Sequence, residues 1–406
     1  MNDKLTAENN SDSKPVARTC DVVIVGAGGS GLAAAARCAE LGLSVVVLEK
    51  LSQPGGTTGI AVGSFTANRT KLQQRAGVTD SLNDHVADAG KFAAPEIEQR
   101  NQEWLRRYFL TEAAATLDWL TGMGLAFHGP SPEPPNRVPR MHNVVPNAKA
   151  YIAALQSKLF RHGGVLHCNT SVTQILFEAD RVTGVVANSE GGQVRFHAVL
   201  GVVLAAGDYA NSRALIERFK GKQYATIQGI NPHALGEGHT LAEQAGARLV
   251  NMDVTYGPEL RFVPPPTKRD VFSQLLPAAG IASRIAGKLL PLVPRALINA
   301  YIKRLLVTWQ HPEDSLFQEG AILVNRAGQR FCNECDWPAR EIAVANQPDK
   351  IGFILLDERL IAMFSAWPHF ISTAPEIAYA YVSDYLKLRP DVAINTTSLE
   401  QLGELR

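Results

Sequence analysis

Residues 20–49 read CDVVIVGAGGSGLAAAARCAELGLSVVVLE, and this stretch decides the fold. The apolar run at 22–25 predicts a buried parallel strand, and the small residues of 32–41 predict a helix. A second apolar strand at 44–48 ends at Glu49. The strand, the glycine-rich turn, the helix, the second strand and the acid together predict a Rossmann-like α/β unit that binds an adenine dinucleotide.

The glycine turn has the spacing G-x-G-x-x-G. Gly26 permits the tight turn, Gly28 lets the backbone approach a diphosphate, and Gly31 lets the helix pack close to the strand. The first turn of the helix directs its N–H groups and its positive dipole end at the phosphates. Gly29 and Ser30 belong to that first turn, so all five residues are expected at the cofactor.

Glu49 and the loop after it indicate which dinucleotide is bound. A carboxylate at this position accepts hydrogen bonds from ribose hydroxyls and repels a 2′-phosphate, which predicts FAD or NAD. The chain then continues into a second loop of small and hydroxyl residues, 55–64, which suits the longer FAD. An NAD(P)-dependent dehydrogenase would need a nicotinamide subsite instead of this loop. The expected FAD contacts here are Glu49, Lys50, Gly55, Gly56, Thr57, Thr58, Gly63 and Ser64.

On the segments GAGGSGLAAA, LGLSVVVLEK and PGGTT, the chain resembles the flavoprotein family of soluble fumarate reductases, succinate dehydrogenase flavoprotein subunits and 3-ketosteroid dehydrogenases. Residues 198–207, 235–247 and 320–334 extend the resemblance in the same order. The resemblance implies FAD, with Ala206 and Gly207 beside the flavin. It also implies a Rossmann-like FAD-binding domain with an inserted α+β substrate cap domain.

The resemblance also predicts the domain organisation. Residues 1–17 are polar and are expected to form a disordered tail, 18–251 the FAD-binding domain and 252–406 the cap domain. In the family, a glycine-rich segment returns from the cap and closes over the cofactor, and nothing after Leu399 supplies it. We therefore expect a truncated cap. The alternative function is a non-catalytic, truncated flavoprotein that binds FAD weakly or not at all.

Composition narrows the class of protein further. The net charge of +1 provides no electrostatic footprint for nucleic acid, and the five cysteines do not form a disulfide framework. Residues 1–17 lack the apolar core of a signal peptide, which favours a cytoplasmic protein. Segment 268–309 interleaves apolar and basic residues, which suits peripheral contact with a membrane or a lid over an apolar substrate. A helical excursion packed on the cap explains the same pattern.

The resemblance implies a reaction that adds or removes two hydrogens across a carbon–carbon bond beside a carbonyl, coupled to an unidentified electron donor or acceptor. The family's catalytic arginine aligns with Pro338, which cannot transfer a proton, so Arg340 is the expected replacement. Tyr256 is a weaker candidate for a catalytic role. The family's proton-relay glutamate and arginine align with Asp314 and Phe317.

The family's histidine that clamps a dicarboxylate aligns with Gly257. Without cationic clamps a small dianion is held poorly, so an enone, a ketone or a related substrate is expected instead of a C4 dicarboxylate. Cys332 and Cys335 form a lone C-x-x-C. Two unpaired thiols, a redox dithiol or a zinc site would all fit this spacing, and we expect no metal site.

Overall fold

The computed structural model describes residues 16–265, 303–304, 306–307, 310–374 and 378–404. Most of the predicted tail and most of segment 268–309 lie outside the described residues. The chain divides into two compact units. The first comprises Met1–Ile60, Leu155–Asp208 and Gly236–Leu249, and the second comprises Ala61–Ala154, Tyr209–Leu235 and Val250–Arg406. The predicted domain boundary at residues 251 and 252 stays a prediction.

The described strands are β1 (Val16–Val25), β2 (Val45–Leu48), β3 (Ser64–Thr66), β4 (Ala126–Ser131), β5 (Met141–Val145), β6 (Val165–His167), β7 (Ser171–Glu178), β8 (Arg181–Ser189), β9 (Gly192–Leu204), β10 (Ile322–Val324), β11 (Phe353–Leu355), β12 (Ser372–Ala374) and β13 (Ala378–Ala380). The α-helices described along their whole length are α1 (Gly29–Glu40), α2 (Lys71–Arg75), α3 (Leu82–Ala89), α4 (Pro95–Glu98), α5 (Glu103–Gly122), α6 (Lys149–Arg161), α7 (Arg213–Phe219), α8 (Glu237–Gln244), α9 (Asp314–Gln318), α10 (Ala339–Ala345), α11 (Glu358–Met363), α12 (Val382–Leu388) and α13 (Leu399–Glu404). Short 3₁₀ helices cover Thr57–Ile60, Gly90–Phe92, Lys222–Tyr224 and Pro348–Lys350.

The first unit contains a six-stranded sheet in the order β6-β2-β1-β9-β8-β7. Strands β6, β2, β1 and β9 are parallel, and β8 and β7 continue the sheet antiparallel. The predicted strand, helix and second strand are confirmed as β1, α1 and β2. Helix α1 begins at Gly29, three residues before the predicted start, because the last glycines of the turn already form its first turn. The α/β fold is therefore as expected.

The core of the first unit lies between the sheet and its helices. Val23 and Val25 of β1, Phe196 of β9 and Leu241 of α8 are buried in one cluster. A parallel strand covered in this way is apolar along its length, which is why the run at 22–25 predicted it correctly.

The second unit contains a three-stranded antiparallel sheet, β3-β5-β4, and helices α2 to α5. It also contains the two-stranded pairs β10-β11 and β12-β13. Segment 320–334 closes its turn with a single bridge between Val324 and Arg330, and β10 forms its regular ladder with β11. In the described part of the chain, no helix combines the length and the apolar character needed to cross a bilayer.

A buried ionic cluster orders the proline-rich connection between β4 and β5. The Arg140 guanidinium is fully buried and donates to Asp80 Oδ1 and Asp88 Oδ2, both at 2.7 Å. Both carboxylate side chains are at most 1% exposed. Arg137 donates to Asp88 as well. Buried charges need partners of this kind, so this cluster fixes a segment that has little apolar surface of its own.

The free energy of unfolding depends on pH through His85, which is buried in the same unit. Burial, followed by the charge of Arg140, lowers the pKa of His85 from 6.5 to about 4. Between these values the unfolded chain binds a proton that the folded chain does not, so stability falls as the pH falls from 6.5 toward 4. We expect His85→Gln to show a shallower loss of stability in this window. Urea unfolding of both proteins at pH 7 and pH 5 tests this, and equal losses would contradict it.

Candidate functional site

The glycine turn between β1 and α1 is built for close backbone approach. Gly26 has φ +99°, and a Cβ there would lie 2.5 Å from the carbonyl oxygen of Ala205. A Cβ on Gly31 would lie 1.9 Å from the carbonyl oxygen of Gly26. Gly28 is the N-cap residue of α1 and has no side chain that could cover the N–H groups of the first turn. Ser30 lies in this first turn. This end of the helix therefore offers its backbone donors to an anion.

Glu49 follows β2 and is buried, with 7% exposure. Its Oε2 accepts from the N–H of Ala27 at 2.8 Å, and its Oε1 accepts from the N–H of Leu51 at 2.9 Å. Each bond uses one of the two lone pairs on its oxygen, so the carboxylate can still accept from hydroxyl groups. The glycine turn thus holds the acid in a fixed position beside the helix N-terminus.

The second loop packs against the first. Gly55 forms a β-bridge with Gly28 and donates its N–H to the Ala27 carbonyl at 3.0 Å. A Cβ on Gly56 would lie 3.4 Å from the Gly28 Cα. Thr58 Oγ1 accepts from the N–H of Gly29 at 3.2 Å. The small residues predicted from the sequence are therefore the ones that let these two loops touch.

Two side-chain contacts connect this region to other parts of the first unit. Lys50 Nζ forms an ion pair with Glu237 Oε1, at the start of α8. Thr57 Oγ1 donates to Asp208 Oδ2 at 3.5 Å, just after β9. Sequence reasoning did not identify Glu237 as a site residue. The signal that was available is an acid flanked by two glycines, at 236 and 238, at the start of a helix.

The turn after β9 lies beside the glycine turn and Glu49, and we call these three parts together the cradle. Ala205 donates its N–H to the Val25 carbonyl at 2.8 Å. Ala206 contacts α8 so closely that a Cβ on Gly238 would lie 3.0 Å from the Ala206 Cβ, and Gly207 has φ +84°. The cradle thus lies at the carboxyl ends of β1, β2 and β9, where open α/β sheets bind ligands. Small backbone cradles, helix N–H groups and a buried carboxylate fit the diphosphate and ribose of FAD.

Gly63 and Ser64 belong to the second unit. The Gly63 carbonyl accepts from the N–H of Val144 at 3.2 Å and from Tyr151 Oη at 2.9 Å. Ser64 Oγ donates to Asn143 Oδ1 at 2.8 Å. These bonds fix the start of β3, and the expected contact of Gly63 and Ser64 with FAD stays a prediction.

Arg340 lies in the first turn of α10, with 5% exposure. Its guanidinium donates to Asp314 Oδ1 at 2.8 Å, to Glu341 Oε1 at 2.9 Å and to the Glu334 carbonyl at 3.0 Å. It also stacks on the Phe317 ring, with Cζ 4.6 Å from the centroid. Burial lowers the pKa of Arg340, but the bonds to Glu341 and Asp314 outweigh burial and raise it. The residues aligned with the family's relay therefore surround Arg340.

Tyr256 lies on a loop of the second unit and is 92% exposed. The Glu259 carboxylate raises the pKa of the Tyr256 hydroxyl, chiefly through its charge and also through a hydrogen bond with that hydroxyl. The Trp337 indole N–H donates to the Pro258 carbonyl at 2.9 Å, which joins this loop to the loop before Arg340. The two catalytic candidates therefore stand on connected loops. Sequence reasoning did not assign Trp337 a role.

His142, Cys332 and Cys335 also carry side chains capable of acid–base or redox chemistry. His142 is fully buried and bonds to Thr70 Oγ1 through Nε2 at 2.9 Å. Both cysteines are free thiols, Cys335 exposed and Cys332 half-buried. Among the described residues, no group of three or more His, Cys, Asp or Glu side chains could hold a metal ion.

Comparison with known proteins gives a family and a fold. Residues 21–266 match the family described as an FAD binding domain. The chain is 25% identical over 369 residues to the NADH:fumarate oxidoreductase of Klebsiella pneumoniae (strain 342), a match that covers 90% of this chain and 35% of that protein. The chain spans about half or less of the length of the first curated relatives it matches.

Two solved structures share the fold. The open conformation of a flavocytochrome c3 fumarate reductase matches with a TM-score of 0.62 and 22% identity, over 86% of this chain and 54% of that one. The 3-ketosteroid-delta4-(5alpha)-dehydrogenase of Rhodococcus jostii RHA1 matches with a TM-score of 0.57 and 21% identity, over 98% of this chain and 78% of that one. At these identities the likeness concerns the fold.

Proposed function

Because the chain belongs to the family of FAD binding domains, we propose that it is an FAD-dependent oxidoreductase that reduces or dehydrogenates a carbon–carbon bond next to a carbonyl group. The observation that carries the proposal is the cradle formed by the glycine turn, Glu49 and the turn after β9. The Klebsiella relative is named an NADH:fumarate oxidoreductase, and this name supports the reaction class that we propose. The proposal includes a small-molecule substrate, an unidentified electron donor or acceptor, and a cytoplasmic location.

The residues that we propose to bind FAD fall into groups that contact different parts of the cofactor. The backbone N–H groups of Gly28, Ser30 and Gly31 bind the diphosphate, the Gly29 N–H being bonded to Thr58, and Glu49 accepts from the adenosine ribose. Lys50 supports this end of the cradle through its ion pair with Glu237. The loop at 55–58 lies against the same turn and binds along the cofactor, as do Ala206 and Gly207. When bound, FAD supplies hydride transfer to or from the substrate carbon.

Arg340 is the residue we propose to handle the proton. Its Nη2 contacts Asp314, whose side chain is 66% exposed, so a proton passed on by the guanidinium can be replaced from solvent. Glu341 Oε1 accepts from Nε and holds the plane of the group. Among the described residues, Glu341 Oε2 has no hydrogen-bond partner, so it remains an acceptor beside the guanidinium. General acid–base catalysis by a positioned side chain contributes about 10²–10⁴-fold in rate.

The substrate we propose is an enone, a ketone or a related compound, not a C4 dicarboxylate. The guanidinium of Arg340 is already neutralised by Asp314 and Glu341. A dianion would have to displace a carboxylate from its bidentate partner, which costs a charge-assisted hydrogen bond of about 1.5–3 kcal/mol.

Arg340→Ala tests both the reaction and the acid. We expect at least about a 10²-fold loss of turnover, since the proton donor is absent, while the flavin absorbance of the purified protein is unchanged. Turnover is measured with a reduced viologen dye for reduction and an oxidised dye for dehydrogenation. Arg359→Ala is the matched control, because Arg359 forms an exposed pair with Glu319. Turnover near that of the wild type would remove Arg340 from the reaction.

Bound flavin without turnover of any enone, ketone or dicarboxylate by the wild type would favour the non-catalytic alternative.

A further inference from the structure

We propose that helix α5 (Glu103–Gly122) is a dimerisation surface, on which a second copy of this chain packs its own α5 in the antiparallel direction. The contact is made by a stripe of side chains that we call the outer stripe: Trp104, Tyr108, Thr111 and Ala115. The interface does not depend on the proposed reaction, because α5 carries none of the proposed catalytic or cofactor residues.

The outer stripe lies on the side of α5 opposite to the core. Its four residues recur at i, i+4, i+7 and i+11, which places them on one face of a helix. Leu110, Ala113 and Leu117 lie on the other side at the same kind of spacing, and all three are buried. Helix α5 therefore packs one face within its own chain and presents the other face to solvent.

The first observation is the size of the exposed apolar surface. Trp104, Tyr108 and Phe109 are 69%, 65% and 67% exposed, and Leu105 beside them is 50% exposed. Aromatic side chains carry about 150–250 Å² each, so the exposed parts of these three rings cover roughly 400 Å² per copy. Two copies supply roughly 800 Å² from the rings alone, and the rest of the face brings the total to the roughly 1,000 Å² of a specific interface.

The second observation is the order of side-chain sizes along this face. The first half carries large residues and the second half carries small ones: Trp104, Leu105, Tyr108 and Phe109, then Thr111, Ala114, Ala115 and Thr116. In an antiparallel pair centred between residues 109 and 110, Trp104 of each copy meets Ala115 of the other, and Tyr108 meets Thr111. Large side chains then fill the holes above small ones, as in coiled coils. A parallel pair would place Trp104 on Trp104 and leave a gap between the alanines.

The third observation concerns the hydroxyl groups in the second half of the face. Thr111 Oγ1 donates to the carbonyl of Arg107 at 2.7 Å, and Thr116 Oγ1 donates to the carbonyl of Glu112 at 2.9 Å. A hydroxyl that already donates inside its own helix can be buried without leaving its donor unsatisfied. This half of the face can therefore lose its water when a second copy binds.

The charges on α5 favour a second copy over a membrane or a nucleic acid. Both of those partners are attracted by basic groups that are free to bind phosphates. Arg106 of α5 pairs with Glu98 at 2.6 Å, and Arg107 donates to Asn83 Oδ1 at 2.9 Å. A face whose two halves complement each other instead fits a copy related by a two-fold axis, because each copy then supplies both halves.

Sedimentation equilibrium of the full chain tests the interface. The wild type is expected to pass from monomer to dimer between about 1 and about 100 µM, since the interface lies near the lower size limit. Trp104→Ala is expected to raise the dissociation constant of the dimer at least about tenfold, because tryptophans carry much of the binding energy at interfaces. Trp367→Ala is the matched control, since Trp367 is 66% exposed in the same unit, and it is expected to dimerise like the wild type.

A size swap tests the antiparallel direction. Ala115→Trp places one tryptophan against another in the antiparallel pair and is expected to raise the dissociation constant at least about tenfold. Combining Ala115→Trp with Trp104→Ala restores a large residue against a small one, and the double variant is expected to recover most of the wild-type affinity. Both positions are exposed, so the variants are expected to keep the far-UV circular dichroism spectrum of the wild type.

Four results would overturn the interface. A wild type that stays monomeric at all of these concentrations would leave the face to a different partner. Dimerisation that Trp104→Ala does not weaken would place the contact on another surface. Tighter association of the Ala115→Trp variant would contradict the antiparallel direction. Flotation of monomers with phosphatidylcholine vesicles, lost in Trp104→Ala, would assign the face to a membrane.

Discussion

Replacing Gly31 with alanine is expected to abolish FAD binding. The added Cβ would lie 1.9 Å from the Gly26 carbonyl oxygen and 3.0 Å from its carbon, so backbone would meet backbone. The glycine turn and the start of α1 would have to separate, and the phosphate cradle would open. Overpacking of this severity costs about 3 kcal/mol or more. We expect FAD affinity to fall at least about 100-fold, measured by flavin absorbance after purification and by titration of the apoprotein.

Gly59→Ala is the control for this prediction. A Cβ on Gly59 meets nothing within 4 Å, although Gly59 lies on the loop that packs against the glycine turn. The dissociation constant for FAD and the equilibrium constant of unfolding should each stay within a factor of about two of the wild-type value. This is well under the tenfold change that 1.4 kcal/mol represents. If Gly31→Ala retained FAD as well as Gly59→Ala does, the close contact between α1 and the glycine turn would not be required for binding.

Replacing Arg140 with leucine is expected to cause the largest loss of stability. Asp88 would keep Lys91 and Arg137 as partners, but among the described residues Asp80 would keep only the Gln73 side chain and the Ser81 N–H as donors. Removing one partner of a buried ion pair destabilises a protein by about 3–5 kcal/mol. Urea unfolding, with the free energy extrapolated to water, measures the loss.

Two further variants test the cause of that loss. Arg326→Leu removes an arginine from an exposed pair with Asp349, where both side chains are at least 60% exposed. Such pairs contribute about 0–1 kcal/mol. Asp80→Asn combined with Arg140→Leu should recover part of the stability, because no unpaired charge is then left buried. A double variant as unstable as Arg140→Leu alone would show that packing, and not charge, causes the loss.

The parts of the fold that were predictable from the sequence are those with a repeating or local signal. The apolar run before Gly26 and the acid at Glu49 predict β1, β2 and the cradle, because a buried parallel strand is apolar on both faces. Helix α6 carries a local signal of the same kind, since its apolar residues recur at helical spacing and Gly163 and Gly164 follow it.

The parts that were not predictable depend on contacts between distant residues. Nothing in the sequence near Lys50 indicates that Glu237 is its partner, 187 positions later. The burial of Arg340 is similarly non-local, since it depends on Asp314 and on the Phe317 ring. The Trp337 indole likewise donates to the carbonyl of Pro258, 79 positions earlier. Long-range pairs of this kind are set by topology, which a local pattern does not encode.

The sheet order also determines when this site can form during protein synthesis. Strand β1 lies between β2 and β9, and Gly26 packs against Ala205, just after β9. From Val25 to Leu204 the ribosome must add 204 − 25 = 179 residues, which takes roughly 9–36 s at about 5–20 residues per second. Throughout this time the nascent chain presents one side of β1 without its neighbour. The cradle is thus begun by β1 and completed only after β9 is synthesised, and β1 is where we expect a chaperone to bind the growing chain.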